Sequence, residues 1–284
     1  MESLLLRDVS FAYDDEPKKK HHKSACNEND AVLKKLNLAV HEGEFVCLVG
    51  HSGCGKTSTL KILAGLLEPC EGSVSVSGKP LTGPGPDRAV VFQNYALFPW
   101  MSALQNVEFG IKQASEAFNR AYSKEQIRAI ALEYLEILGM ARAAKCKPYQ
   151  LSGGMQQRVA IARALAMNTP ILLFDEPFGA LDVKTRRELQ ALMQELWLRE
   201  GAHKTAVFVT HDIDEALLLA DRIVFMSDGR FLDEFALNTA RPRDPESFSH
   251  SEAAKPIKQA LMKLFFDSVE NQREEQEPCC QGGL

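Results

Sequence analysis

The chain has 284 residues, 45% hydrophobic and 25% charged, with a net charge of −5. That is ordinary for a globular protein long enough to bury a real core, and it leaves no global positive field to attract nucleic acid. No apolar run approaches the roughly 18 residues of a membrane span, and Met1 to Arg7 lacks the basic start of a signal peptide. Seven scattered cysteines without a CxxC pair predict neither a disulfide framework nor a zinc site, and a reducing cytosol as the setting.

In chain order, Leu4 to Val9 and Ala31 to Val40 read as strands. Between them, residues 14–30 are polar, with a Lys/His cluster; a solvated loop is the simpler reading, and a phosphate- or lipid-touching patch the other. Phe45-Val46-Cys47-Leu48-Val49 is an apolar strand, and Ser58 to Gly65 is helix-like. Ser73 to Ser77 and Ala89 to Phe92 are strand-like, with the turn Gly83-Pro84-Gly85-Pro86-Asp87 between them. The texture is helical from about Tyr95 to Leu151; Ile127, Ile130, Ala131, Leu135 and Leu138 follow a 3.6-residue period that Gly139 stops. The short runs Ile171 to Phe174, Ala206 to Val209 and Ile223 to Met226 suit a parallel sheet covered on both faces. Between two of them, Leu189, Leu192, Met193, Leu196 and Trp197 form a helical core stripe. A Pro/Arg-rich connector, Ala240 to Pro245, leads to an amphipathic segment with Ile257, Leu261, Leu264 and Phe265 on one side. A polar tail follows, in which Cys279-Cys280 reads as inert rather than metal-touching. There is no internal repeat, so a single copy of each functional unit is expected.

The most informative stretch is Gly50-His51-Ser52-Gly53-Cys54-Gly55-Lys56-Thr57, followed by Ser58. It has the GxxxxGKT spacing between a strand and a helix that a phosphate-binding loop requires. Glycines let successive N–H groups turn toward a phosphate, and the helix start behind them adds partial positive charge. Lys56 is suited to the β- and γ-phosphates of a nucleoside triphosphate, and the Thr57 hydroxyl to Mg²⁺. The buried run Ile171 to Phe174 ends in Asp175-Glu176. Asp175 is placed to hold Mg²⁺, and Glu176 to accept a proton from the attacking water. Taken alone, the pair reads as a helix cap and a first-turn acid; beside a phosphate loop the catalytic reading is favoured. Leu151-Ser152-Gly153-Gly154-Met155-Gln156-Gln157-Arg158 stands just before an amphipathic helix, with Ser152, Gly153 and Gly154 arranged as a second anion site or as a simple cap.

LSGGMQQR is similar to the signature motif of the ATP-binding cassette (ABC) family, and the other family elements occur in family order. Tyr13 resembles the residue that stacks on adenine, and Gln93 the glutamine that senses Mg²⁺ and the attacking water. Gly179-Ala180-Leu181-Asp182 resembles the segment crossing the dimer interface, and Thr210-His211-Asp212 the switch histidine that contacts the γ-phosphate. The resemblance implies an α/β fold: a P-loop NTPase core with an antiparallel β-subdomain and a helical signature-motif subdomain. The expected ATP-binding domain is 1–236, its helical subdomain about 95–165, and 237–284 a short extension. The implied catalytic residues are Glu176, His211 and Gln93, with Mg²⁺ at Thr57, Gln93 and Asp175. ATP is expected to be held by Tyr13, by residues 50–58, and by Ser152, Gly153, Gly154, Gln156 and Asp182. In that family two copies associate head to tail, the loop of one meeting the signature motif of the other across ATP.

Asn94 to Met101, carrying Phe98 and Trp100, places aromatic side chains beside Gln93, where a membrane partner is expected to dock; Asn106-Val107 reads as the start of the next helix. That run, together with Glu176 to Asp182, His211 to Ala216 and Arg241-Pro242-Arg243, looks like the nitrate/sulfonate/taurine branch of bacterial importers. The long 14–30 loop and His51, where proline is commoner, depart from that branch. The resemblance implies an ATPase subunit at the cytoplasmic face of the inner membrane, paired with a second ATP-binding subunit. Its other expected partners are two permease subunits and an extracytoplasmic binding protein, with no nucleic acid. An exporter ATPase and a soluble ABC ATPase are the alternatives.

Overall fold

The computed structural model describes residues 2–13, 30–179, 181–200, 204–245 and 247–276. The 14–29 part of the polar loop, Ala180, and the Cys279-Cys280 tail lie outside the described residues. An antiparallel sheet in the order β2-β1-β4-β5 is built from β1 (Glu2–Phe11), β2 (Leu33–His41), β4 (Glu71–Val76) and β5 (Lys79–Pro80). A second sheet runs β10-β9-β3-β8-β7-β6, from β3 (Phe45–Val49), β6 (Arg88–Val91), β7 (Ile171–Asp175), β8 (Thr205–Thr210), β9 (Arg222–Ser227) and β10 (Arg230–Ala236). Its strands are parallel except β10, which pairs antiparallel with β9. The helices are α1 (Lys56–Leu63), α2 (Ala103–Ala117), α3 (Lys124–Ile137), α4 (Gly153–Ala166), α5 (Val183–Glu200), α6 (Ile213–Leu219) and α7 (Lys255–Gln276).

The apolar runs of the central strands divide between two cores by the two-residue period of a strand. Phe45, Cys47, Val49, Leu172, Phe174, Ala206 and Phe208 pack toward the side of α2, α4, α5 and α6. Val46, Leu48, Ile171, Leu173, Val207 and Val209 pack with α1 and with Leu4, Leu6, Leu36 and Leu38 of the antiparallel sheet. Continuous rather than alternating hydrophobicity is the consequence of burying both faces.

Several boundaries differ from the sequence reading. Helix α2 begins at Ala103, ahead of Asn106, because Ser102 and Gln105 form a capping box. Asn106 is buried within it, its Oδ1 accepting from Phe98 N at 2.8 Å. The signature segment does not precede α4: Ser152 is the N-cap and residues from Gly153 onward are its first turns. Helix α7 runs to Gln276, well past the apolar stripe and into the stretch read as tail. Cys70 is disulfide-bonded, against the expectation of thiols held reduced. Cys47, Cys54 and Cys146 are free.

The connector before α7 is anchored rather than loose. Buried Arg243 donates from Nη1 to the carbonyls of Leu217 at 2.8 Å and Ala220 at 2.6 Å, filling the open C-terminal end of α6. Gln194 of α5 and the Arg243 backbone exchange two hydrogen bonds, at 2.7 and 2.9 Å. Burial pulls the Arg243 guanidinium down to about 10, aided by the neighbouring Arg241 charge.

Candidate active site

The parallel strands end along one edge, the place where open α/β sheets carry their ligands. Register fixes who meets there: Val49 pairs with Thr210, Asp175 with Val209, and Val91 with Phe174. The phosphate loop, Asp175-Glu176, His211 and Gln93 therefore leave the sheet at the same end. Gln93 is exposed, two residues beyond the end of β6.

The loop after β3 is shaped by close packing. A Cβ on Gly50 would stand 2.1 Å from the Met226 carbonyl oxygen, so the chain passes there only as glycine. Gly55 caps α1 at φ 107, a conformation that disfavours L side chains. Lys56 is only 4% exposed, its Nζ donating to the carbonyls of Gly50 at 2.8 Å and His51 at 2.7 Å. Burial pushes the Cys54 thiol up, with the Lys56 charge opposing it. Tyr13 Oη lies 2.9 Å from Ser58 Oγ, which brings an exposed ring to the start of α1.

Thr57 Oγ1 donates to Asp175 Oδ1 at 2.8 Å. Burial raises the Asp175 carboxyl, and the Thr57 hydrogen bond works against that rise. Two hard oxygen donors side by side fit Mg²⁺, which takes few protein ligands and completes its shell with phosphate and water. Among the described residues no cluster of three or more His, Cys, Asp or Glu is arranged for a metal; a magnesium ion shared with phosphates needs none. Glu176 holds a left-handed backbone, φ 43, rare for a side chain with a Cβ and a form of strain that concentrates at functional sites. Its Oε2 lies 3.2 Å from His211 Nδ1. A carboxylate has no proton to give, so Nδ1 is the donor.

The signature residues sit elsewhere. Ser152 Oγ accepts from Met155 N at 3.3 Å, and Gln156 Nε2 donates to Leu151 O at 3.1 Å. A Cβ on Gly153 would meet Tyr95 Oη at 2.9 Å, and one on Gly154 would meet Thr185 Cγ2 at 3.3 Å. Among the described residues no hydrogen bond or ion pair joins this segment to residues 50–58 of the same chain. Asp182 Oδ1 accepts from Thr185 N at 3.0 Å, and this bond holds its carboxyl below the usual carboxylate range.

The family model for the ABC transporter matches residues 33–179, from the second strand past the Asp175-Glu176 pair. The chain belongs to the ABC transporter family. It is 48% identical over 217 residues to the bicarbonate transport ATP-binding protein CmpD of a Synechocystis strain, covering 75% of this chain and 74% of that one. The nitrate import ATP-binding protein NrtD of Synechococcus elongatus is 48% identical over 197 residues, 69% of this chain and 70% of its own. Among solved structures, a dimeric post-hydrolysis state of the ATP-binding cassette MJ0796 bound to ADP and Pi superposes with a TM-score of 0.70 at 37% identity, covering 84% of this chain and all of that one. The chain is thus an ATP-binding ABC subunit, a P-loop α/β ATPase coupled to transport. No helix among the described residues is long and apolar enough to cross a membrane.

Two features of this ABC site escape sequence reasoning. Glu215, in the first turn of α6, is buried and accepts from Thr210 Oγ1 at 2.6 Å and Gln190 Nε2 at 3.0 Å. Burial pushes its carboxyl up to about 7. A signal was present, since Asp212 and Glu215 have the spacing of a capping pair, but that spacing predicts a solvated acid. The second is His51, whose Nε2 lies 2.9 Å from the Phe265 carbonyl oxygen of α7, across 214 positions of sequence.

Proposed function

We propose that this chain is the ATP-hydrolysing subunit of an importer for small inorganic anions, working as a pair of copies beneath two permease subunits at the cytoplasmic face of the membrane. The observation that carries the reading is the single edge on which Lys56, the Thr57–Asp175 pair and the Glu176–His211 pair converge. Lys56 and the N–H groups of residues 50–58 hold the β- and γ-phosphates, and Tyr13 stacks on adenine. Thr57 and Asp175, with Gln93, would hold Mg²⁺, which would neutralise developing phosphate charge. Glu176 takes the proton of the attacking water. His211 keeps that carboxylate oriented through Nδ1 and, when both ring nitrogens carry protons, donates from Nε2 to the γ-phosphate. Ser152, Gly153, Gly154 and Gln156 complete the site of the second copy, with Asp182 at the seam, so hydrolysis removes the anion that ties the pair together.

The membrane-facing surface lies beside the same edge. Trp100 is 66% exposed, and its ring lies tilted at 5.5 Å against that of Phe98, which meets Phe109 edge-on at 4.8 Å. Next to them a cavity of about 460 Å³ is lined by Met101, Gln105, Phe109, Lys112, Ile127 and Arg128. An exposed aromatic cluster beside an open groove suits a short helix of a permease. The anionic cargo is supported by the bicarbonate and nitrate systems in which the relatives serve. An extracytoplasmic binding protein would deliver it to the permease.

The test is uptake of isotope-labelled bicarbonate and nitrate by vesicles carrying the complete transporter. ATP-dependent accumulation of one of them, lost in Glu176→Gln, is expected; outward movement or no anion uptake overturns the reading.

A further inference from the structure

The longest helix among the described residues, α7, touches both walls of the nucleotide site. On one side, His51 of the phosphate loop donates from Nε2 to the Phe265 carbonyl at 2.9 Å, and its ring meets the Phe265 ring edge-on at 4.6 Å. The same carbonyl also accepts from Ser268 Oγ at 2.9 Å. Phe265 in turn packs edge-on against Phe225 at 5.0 Å, and Phe225 is the register partner of Val49, the last residue before the loop. On the other side, Lys258 pairs with Asp214, in the first turn of α6 and three residues past His211. His51 is held from two directions, because its own carbonyl accepts from Lys56 Nζ at 2.7 Å. A continuous path therefore runs from α7 through the His51 side chain and backbone to the Lys56 ammonium. Nothing in the phosphate chemistry requires this path, since a phosphate loop reads phosphate with its N–H groups and its lysine.

We infer that α7 is a control element of the phosphate loop. Seated, it fixes His51 and through it Lys56 in the geometry that grips a triphosphate; displaced, it lowers ATP affinity. His51 is then a positioning residue, and whatever lifts α7 regulates the ATPase from outside the site. The inference rests on the ATP-binding role proposed for residues 50–58.

The experiment measures ATP affinity of the full-length chain with Mg²⁺ chelated, and KM and kcat with Mg²⁺ present, alongside thermal denaturation. His51→Ala should weaken binding by at least about fivefold, the lower range of coupling between sites, with KM rising more than kcat falls. Phe265→Leu, which leaves every nucleotide motif intact, should weaken it in the same direction. The double variant should be no worse than His51→Ala alone, because both break one path. His51→Gln, which can still donate to the Phe265 carbonyl, should retain most of the affinity. Unchanged affinity in Phe265→Leu, or additive losses in the double variant, would overturn the inference. Should Phe265→Leu fail to fold, equal losses in His51→Ala and His51→Gln would overturn it instead, and a clear difference between them would sustain it. A wild-type chain that does not bind ATP would refute the proposed function itself, an outcome distinct from these.

Discussion

Glu215 offers a sharp test of the electrostatics beneath His211. Its carboxyl is buried beneath Thr210 and Gln190 and holds its proton up to about 7 rather than the usual 4.5. The folded state therefore binds more protons than the unfolded chain between those values. The stability that Glu215 contributes is fully present below pH 4.5 and is lost as the pH rises toward 7. At pH 8 the ionised, desolvated group costs the fold about 3 kcal/mol. Glu215→Gln removes the charge and keeps the shape. The Gln190 amide can turn over, and the Thr210 hydroxyl can accept as well as donate, so hydrogen bonding survives. Urea unfolding of both proteins at pH 8 and at pH 5 measures the effect. The variant should be more stable by up to about 3 kcal/mol at pH 8, with most of that advantage gone at pH 5. A difference independent of pH, or a variant less stable at pH 8, would refute the reasoning.

Lys56→Ala should weaken ATP binding by about a hundredfold or more, since a buried ammonium contributes several charge-assisted bonds; near-normal affinity in a calorimetric titration would contradict the loop assignment. Trp100→Glu should cost the permease interface about 2 kcal/mol or more while the isolated subunit still binds ATP, so co-purification and transport fall together. An unfolded Trp100→Glu chain would instead place the indole in the subdomain core. Ser152→Arg and Lys56→Ala chains should each be inactive alone and regain ATPase activity when mixed, because a mixed pair carries one complete site; activity in Ser152→Arg alone would rule out a site shared between copies.

The legible part of this protein is the part whose chemistry is local in sequence. Gly50 to Thr57 declares a phosphate loop because backbone geometry, helix start and lysine must be contiguous. Asp175-Glu176 was readable from the apolar strand that delivers it. The central strands were legible because burial on both faces leaves unbroken apolar runs such as Phe45 to Val49. Strand β10 was not: Asp233 and Glu234 interrupt its pattern, as an edge strand with a solvated face allows. The left-handed backbone of Glu176 has no sequence signature, since glutamate rarely adopts it. Helix α7 outran its stripe because a helix needs no apolar residues where it extends beyond the core. His51 looked like a tolerated substitution in a loop, and its link to Phe265 depends on tertiary packing that no local pattern encodes.

The central claim is that ATP joins two copies of this chain through sites each copy completes for the other. The direct measurement is the solution mass of Glu176→Gln, by light scattering on a sizing column, with and without saturating ATP. The variant should keep ATP affinity but hydrolyse at least about 10²-fold more slowly. Its mass should therefore double with ATP and return to that of a single chain when nucleotide is removed. A mass that stays that of a single chain at saturating ATP, with binding verified in the same sample, would contradict the account.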